Sequence, residues 1–403
     1  MCVRPRFALA VLLASCGGTG GDGARGADAG AVTDGAPGEA DGAAPIECRL
    51  EVTAGDMFGP AAVVSDEALA SLAPVIAASG SRALVAWHEF AEAGSRIVYA
   101  VVERGCVGEI QRVDEPLAQP IRPSVAATPD GFVLAYHASD GDLQRVRAVW
   151  LDAAGAPLGP PETISADDQS ASYVHVATSG EATAFAWLDA TGHAFALRGP
   201  PETVAATHVA NTVDDLVVDS SPRVALAADG TLFLAYRNGS SSDQEVFLLV
   251  RPSAGVFQPK INVSQSPELL SDDVSLAVEP DGSLDIAWID QDADDVNSFE
   301  VEYRRRAASG SLGPRQRYGT QGLWSWTPSV LPGLTAAWRT GQGAAGPFYF
   351  ADGAAEPVAI LAGEAGSMPA LARTADGAEH LAFQDAATPR RIHYAWRAPA
   401  AEE

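Results

Sequence analysis

The architecture of this chain can be read from one segment, Pro222-Arg223-Val224-Ala225-Leu226-Ala227-Ala228-Asp229-Gly230-Thr231-Leu232-Phe233-Leu234-Ala235-Tyr236. A short apolar strand, entered through proline, is followed by a turn and by a second strand that ends in alanine plus an aromatic residue. The pattern occurs seven times, with the aromatic residues 45 to 52 positions apart. They are Trp87, Tyr136, Trp187, Tyr236, Trp288, Trp338 and Phe383. A fixed period of this size is typical of units that bury their apolar faces by stacking on neighbours.

Each repeat predicts four strands. Asp-Gly pairs such as Asp229-Gly230 separate the first two strands and predict tight type I′ hairpin turns. A third strand with alternating polarity follows, as in Ser298–Tyr303, and then a fourth, as in Lys260–Val263. Seven such units closed in a ring make an all-β, seven-bladed β-propeller, which leaves only short sheet edges.

The two ends of the chain are expected to meet in the last blade. The seventh repeat ends at Trp396, which leaves too few residues for a fourth strand. An apolar segment at Pro60–Ser65 lies upstream of the first hairpin. We therefore predict that this N-terminal segment supplies the outer strand of blade 7.

The N-terminus has the features of a targeting segment. Arg4 and Arg6 precede an apolar run, Phe7–Leu13, that is too short to span a bilayer. Leu13-Ala14-Ser15-Cys16 resembles the box that ends the signal peptides of bacterial lipoproteins. The resemblance implies cleavage before Cys16, lipidation of Cys16 and a place in the cell envelope, with Gly17 favouring the outer over the inner membrane. The alternative is an ordinary secretory signal, which needs no cysteine there.

Composition predicts the boundaries between the segments of the chain. Residues 1–15 are the predicted signal peptide, and residues 16–45 form the lipidated Cys16 and a tether in which positions 17–45 hold 10 Gly and 8 Ala. Such a composition is typical of a disordered linker. Residues 46–398 are assigned to the propeller and residues 399–403 to a C-terminal tail.

Two cysteines remain after signal removal and lipidation. Cys48 and Cys106 form an even pair in an oxidising compartment, so we predict a disulfide between the N-terminal segment and the outer part of blade 1. Two separate buried thiols are the alternative.

The charge balance restricts the partners. The chain has 26 Lys and Arg against 52 Asp and Glu, a formal net charge of −26. Such a surface repels nucleic acid and anionic head groups, so membrane contact is expected through the lipid only. The acidic residues either serve solubility or form an acidic recognition surface.

The hairpin segments, for example Pro222–Tyr236, resemble the repeats of TolB-type propellers, and the layout is similar to sialidase-like propellers. This resemblance covers about half of each blade and implies fold without chemistry. The Ser-x-Asp-x-Gly-x-Thr-Trp box of sialidase-type repeats is missing, which argues against a glycosidase.

Loops that follow the second strands and precede the first strands are expected to meet at one face of the ring. Their candidate ligand-contacting residues are His88, His137, Arg237, Arg339, Trp324 and Trp326, and the acidic pair Asp272-Asp273 precedes one of the first strands at the same face. The two tryptophans are the candidate anchors, and burial between blades 5 and 6 is their alternative.

One acidic loop could hold a cation. Asp290, Asp292, Asp294 and Asp295 place carboxylates at close spacing, as calcium prefers. The sixth and twelfth positions of an EF-type loop are, however, Asp295 and Val301 rather than Gly and Glu. A solvated acidic loop is therefore favoured over calcium, and no other cofactor is expected.

The sequence thus favours a monomeric, membrane-anchored binding module for a protein or a glycan, with no catalytic residues assigned. One alternative is a propeller glycosidase or lyase that uses face carboxylates, with Arg237 and Arg339 holding an acidic substrate. Another is a structural part of an envelope assembly, which predicts a large apolar patch.

Overall fold

The computed structural model describes the backbone of Glu47–Cys48 and residues 57–200, 202–209, 221–240, 243–295, 298–318, 325–341, 345–353, 356–361 and 364–399. All of them lie in the compact unit Ala44–Glu403. The predicted signal peptide, Cys16 and the tether lie outside the described residues. Within the described residues the secondary structure is entirely β, and no helix is long and apolar enough to cross a membrane.

The described strands form seven sheets, numbered here as blades 1 to 7 in chain order of their innermost strands. Each blade begins with the three consecutive antiparallel strands that the repeat predicts. In blades 1 to 3 they are β3 Ala70–Ser79, β4 Arg82–Ala91, β5 Gly94–Glu103; β8 Ala118–Thr128, β9 Gly131–Asp140, β10 Leu143–Asp152; β12 Ala171–Ser179, β13 Ala182–Asp189, β14 Gly192–Arg198. In blades 4 to 7 they are β16 Arg223–Leu226, β17 Leu232–Ser240, β18 Asp243–Arg251; β20 Ser271–Val278, β21 Leu284–Gln291, β22 Phe299–Arg306; β24 Ser325–Leu331, β25 Thr335–Thr340, β26 Phe348–Ala351; β28 Gly366–Arg373, β29 Glu379–Asp385, β30 Ile392–Arg397.

The fourth strand is short in every blade. In blades 2 to 6 it is, in order, β11 Glu162–Thr163, β15 Val204–His208, β19 Ile261–Asn262, β23 Gln316–Tyr318 and β27 Val358–Ile360. In blade 1 the fourth position is divided between β6 Cys106–Val107 and β7 Gln111–Arg112, both paired with β5. The strand β1 Glu47–Cys48 then pairs with β6 at the outer edge of this blade. The seven-bladed propeller of four-stranded blades is thus confirmed.

Blade 7 confirms the predicted closure. Its outer strand is β2 Ala62–Val63, which pairs with β30 through Ala62 opposite Tyr394 and Val63 opposite His393. The Val64 N–H donates to the Ile392 carbonyl at 2.8 Å, and the Ile392 N–H donates to Ser65 Oγ at 2.9 Å. Segments more than 300 residues apart in the chain therefore share one sheet.

The predicted type I′ turns are wrong in blades 2, 4, 5 and 7. In blade 4, Gly230 has a φ of 84°, whereas Asp229 is not among the residues with positive φ, as a type I′ turn would require. The Gly230 N–H donates to the Ala227 carbonyl, and the Ala227 N–H donates to the Thr231 carbonyl. These bonds define a three-residue loop with glycine in the left-handed position. The aspartate contributes its side chain instead, because Asp229 Oδ1 accepts from the Thr231 N–H at 2.8 Å.

The described residues form seven hydrophobic clusters, one at each interface between neighbouring blades. Every repeat aromatic is at most 2% exposed. Trp288 of blade 5, for example, packs with Phe233 and Val246 of blade 4. The aromatic residues that mark the repeat are therefore the filling between blades.

Hydrogen bonds also join the inner strands. In four blades a side chain of the inner strand accepts a hydrogen bond from a backbone N–H of the inner strand of the next blade. These bonds run from Val176 N to Ser124 Oγ, Val224 N to His175 Nδ1, Val330 N to Ser275 Oγ and Leu371 N to Ser329 Oγ, at 3.0 to 3.2 Å. Blade 4 reverses the direction, because Arg223 Nε donates to the Val274 carbonyl at 3.2 Å.

Replacing one of these acceptors should destabilise the ring. Ser124→Ala leaves the buried Val176 N–H without its acceptor, and we expect a loss of about 1–3 kcal/mol in the free energy of unfolding. Chemical denaturation measures it, with Ser309→Ala on an exposed turn as the matched control. Equal stability of the two variants would contradict the importance of this bond.

The disulfide stays a prediction that the backbone register supports, since Cys48 lies directly opposite Cys106 in the antiparallel pair of β1 and β6. We expect mass spectrometry of unreduced peptides to recover one linked pair. Recovery of both peptides with alkylated thiols would exclude the bond.

Candidate functional site

The candidate site is built by a bulge that recurs at the start of the inner strands. Pairing with the second strand is interrupted for two residues in blades 1, 2, 3, 5, 6 and 7. In these six blades the first interrupted residue has a φ between 49° and 56°. These residues are Ala73, Arg122, Tyr173, Asp273, Thr327 and Met368, and Ser221 precedes β16 at the matching position of blade 4. Positive φ in non-glycine residues is strained, and such strain collects at functional sites.

Four of these positions line one pocket of about 210 Å³. It spans blades 2 to 5 and is lined by Arg122, Tyr173, Ser221, Arg223, Arg237, Asp272, Asp273 and Val274. Because equivalent ends of the inner strands contribute, the pocket lies at one mouth of the central channel. We call it the channel pocket.

Ion pairs organise one side of the channel pocket. Arg237 forms a salt bridge with Asp272. Asp272 Oδ1 also accepts from the Asp273 N–H at 2.8 Å, and Asp273 Oδ2 accepts from the Thr327 N–H at 3.2 Å. The acidic pair is therefore fixed by backbone and side-chain donors from blades 4, 5 and 6.

Asp273 has an altered acidity. Burial, followed by the neighbouring charge of Asp272, raises the pKa of its carboxyl from 3.8 to about 6, although Arg223 and Arg237 oppose the shift. A buried carboxyl with a raised pKa beside a second carboxyl is an arrangement found in acid–base sites.

The other side of the pocket combines an arginine with aromatic rings. The Arg122 guanidinium lies 4.1 Å from the centre of the Tyr173 ring, and the His137 ring centre is 6.2 Å from that ring. Burial, and then the charge of Arg122, lowers the pKa values of His88 and His137 to about 4. Both imidazoles are therefore neutral at pH 7, and the structure brings both predicted histidines close to Arg122.

Blade 6 supplies two more of the predicted residues. Arg339 is buried, and its guanidinium lies 5.6 Å from the ring centre of Trp326. Trp326 is half-buried, stacks on Phe299 with ring centres 5.3 Å apart and packs against the core between blades 5 and 6. Its position thus agrees with the alternative of burial between these blades. Trp324 lies outside the described residues.

The acidic loop after β21 is not arranged around a common centre. The Asp290 carboxylate is buried, accepts from Ser266 and Ser271 and pairs with Arg315 at 2.7 Å. Asp292 Oδ1 accepts from the Asp294 N–H. Among the described residues no group of three or more His, Cys, Asp or Glu could hold a metal ion. Calcium binding at this loop stays a prediction.

Sequence reasoning found Arg237 and the Asp272-Asp273 pair but missed Arg122, Tyr173 and Arg223. A signal was present in the repeat. Arg122 directly precedes the proline that enters its strand, as Ala73 and Ser221 do. Aligning the seven repeats on this position would have placed one residue of each blade at the channel.

No protein-family model and no curated protein sequence matches the chain. Solved structures with a similar fold include an ulvan lyase from a new polysaccharide lyase family, at a TM-score of 0.52 and 9% identity over 81% of this chain and 93% of that one. They also include the Penicillium chrysogenum α-L-arabinanase complexed with arabinobiose (TM-score 0.47, 16% identity, 85% and 97% coverage) and the WD40 domain of Toxoplasma gondii coronin (0.48, 10%, 86% and 88%). At these identities the likeness shows the fold alone: the protein is a seven-bladed β-propeller.

The raised pKa of Asp273 predicts a pH-dependent stability. Between pH 4 and 6 the folded carboxyl holds a proton that the unfolded chain releases, so the free energy of unfolding falls as pH rises. Asp273→Asn removes this loss while keeping an acceptor for the Thr327 N–H. Each pKa unit corresponds to about 1.4 kcal/mol, so the variant should gain on the order of 2–3 kcal/mol relative to wild type from pH 4 to pH 7.5. Urea unfolding at both pH values measures this gain, and a constant difference between the two proteins would contradict it.

Proposed function

We propose that the protein is a lipid-anchored, extracytoplasmic binding module that holds a protein or a glycan at the channel pocket without chemical turnover. One observation carries this proposal: residues at the start of the inner strands of four successive blades, three of them in bulges, converge on one concave pocket with charged and aromatic groups. Concave sites with a few placed polar groups are the usual form of ligand sites.

The rigidity of the ring supports binding. Most residues that line the pocket lie on or next to inner strands. Hydrogen bonds between neighbouring blades connect these strands, for example from Arg223 Nε to the Val274 carbonyl. Groups held in place before binding lose little entropy when a ligand arrives. A static ring is therefore suited to recognition.

The cellular setting is part of the proposal. Acylation at Cys16, followed by the Gly/Ala-rich segment, would hold a monomeric propeller at the outer membrane with its pocket accessible to envelope components. No nucleic acid or cofactor is required.

The test is affinity purification from membranes in mild detergent, with a C-terminal tag on the full chain, joined to a glycan array probed with the same preparation. We expect one stoichiometric protein or one glycan class to bind wild type and to be lost with Tyr173→Ala. A Cys16→Ala form should lose a membrane-bound partner, whereas Arg112→Gln, on the outer strand of blade 1, should retain it. A partner retained by Tyr173→Ala would move the site away from the channel pocket.

A propeller glycosidase or lyase is the second candidate, because Asp273 with its raised pKa lies beside Asp272 in the pocket. This candidate predicts release of reducing ends or unsaturated sugars from envelope polysaccharides or ulvan, abolished by Asp273→Asn. Unchanged turnover in that variant would remove Asp273 from the mechanism.

A structural role in an assembly has less support. The exposed large apolar side chains among the described residues come from five different blades, namely Phe90, Ile110, Leu158, Val256, Val358 and Met368.

A further inference from the structure

The channel pocket has a charge opposite to that of the chain as a whole. The protein has a formal net charge of −26, yet three arginines and two aspartates line the pocket. Arg339 adds a fourth guanidinium close enough to interact electrostatically with Asp273. A local excess of positive charge within an acidic protein favours a ligand that places an anionic group in this pocket.

Pairing inside the pocket identifies which arginine is available to a ligand. Arg237 pairs with Asp272, and Arg223 donates to the Val274 carbonyl and interacts electrostatically with Asp273. Arg122 is exposed, stacks on Tyr173 and donates no hydrogen bond within the described part of the chain. A guanidinium stacked on a ring keeps its N–H edge open to a carboxylate, which it can bind with two parallel hydrogen bonds.

Two buried histidines near Arg122 each have a ring nitrogen without a hydrogen-bond partner among the described residues. The Nδ1 atoms of His88 and His137 are buried and lack a hydrogen-bond partner among the described residues, and both side chains are over nine-tenths buried. Both rings interact electrostatically with Arg122. A buried nitrogen without a hydrogen-bond partner costs free energy.

We propose, building on the binding function above, that the channel pocket binds the carboxylate of one Asp or Glu side chain inserted by a basic polypeptide segment. The Arg122 guanidinium donates hydrogen bonds to the carboxylate, and the Tyr173 ring packs against the guanidinium. The net negative charge of the chain attracts the basic residues that flank the inserted side chain.

Charge complementarity selects a basic polypeptide over an acidic polysaccharide. A polyanion would bring many negative charges to a surface that already has a large negative excess, and each would be repelled. A basic segment with one acidic residue is complementary to both. Its lysines and arginines are attracted by the net negative charge of the chain, and its carboxylate binds Arg122.

The experiment is a selection of randomised dodecapeptides on phage against the full chain in detergent micelles. Wild type should enrich peptides with a net positive charge that share one Asp or Glu. Arg122→Gln, which removes the guanidinium of an exposed side chain, should still enrich basic peptides but lose the acidic position. Arg112→Gln makes the same change on an exposed arginine of β7 and should select as wild type does. Thermal unfolding confirms that the three proteins are folded.

A matched pair of synthetic peptides then measures the effect. The selected Glu or Asp peptide should bind wild type about tenfold more tightly than its Gln or Asn counterpart, and this ratio should fall to about one in Arg122→Gln. Equal affinity for the two peptides overturns the inference. So does Arg122-dependent binding of trigalacturonate, the polyanionic probe, in the absence of peptide binding. The purification with Tyr173→Ala tests the wider binding function separately. If Tyr173→Ala loses the partner but wild type binds both peptides equally, only the proposal of a carboxylate anchor is refuted.

Discussion

The packing of each blade against its two neighbours is the constraint on which the rest of this structure depends. No blade encloses a core of its own: the seven hydrophobic clusters lie between blades, each with a repeat aromatic such as Trp288 or Phe383. A row of blades would leave two apolar faces in water, so the ring must close. The ring is closed by the two-residue strand Ala62–Val63, which pairs with β30. Hydrogen bonds of Ile392 with Val64 and Ser65 extend this short pairing.

The site is built on the bulges of the inner strands. In six blades the pairing of the inner strand with the second strand of the same blade is interrupted for two residues. A bulge bends the strand and re-aims a side chain. The strain of positive φ at Arg122, Tyr173 and Asp273 is therefore maintained by the bonds between blades, and it presents these side chains to one pocket.

Electrostatics separates the pocket from its surroundings. Over the whole chain acidic residues outnumber basic ones two to one, and such an excess attracts cationic partners. Within the pocket burial changes the balance: it keeps His88 and His137 neutral and raises the pKa of Asp273. Function can therefore depend on a few groups whose charges differ from the average of the molecule.

The sequence by itself determined the seven blades, the buried aromatic residues and the closing strand, because burial between blades imposes a period that is visible in residue order. It also placed Arg237 and Asp272 at one face, and the structure brings both residues to one pocket. The sequence did not reveal the turn type, since Asp-Gly suits both a two-residue type I′ loop and the observed three-residue loop, which differ in length and in the conformation of the aspartate. Nor did it reveal the group of Arg122, Tyr173 and Arg223, which come from three blades. Only the closed ring brings such residues together, because the distance across a channel is set by the number and tilt of blades and leaves no trace in local sequence.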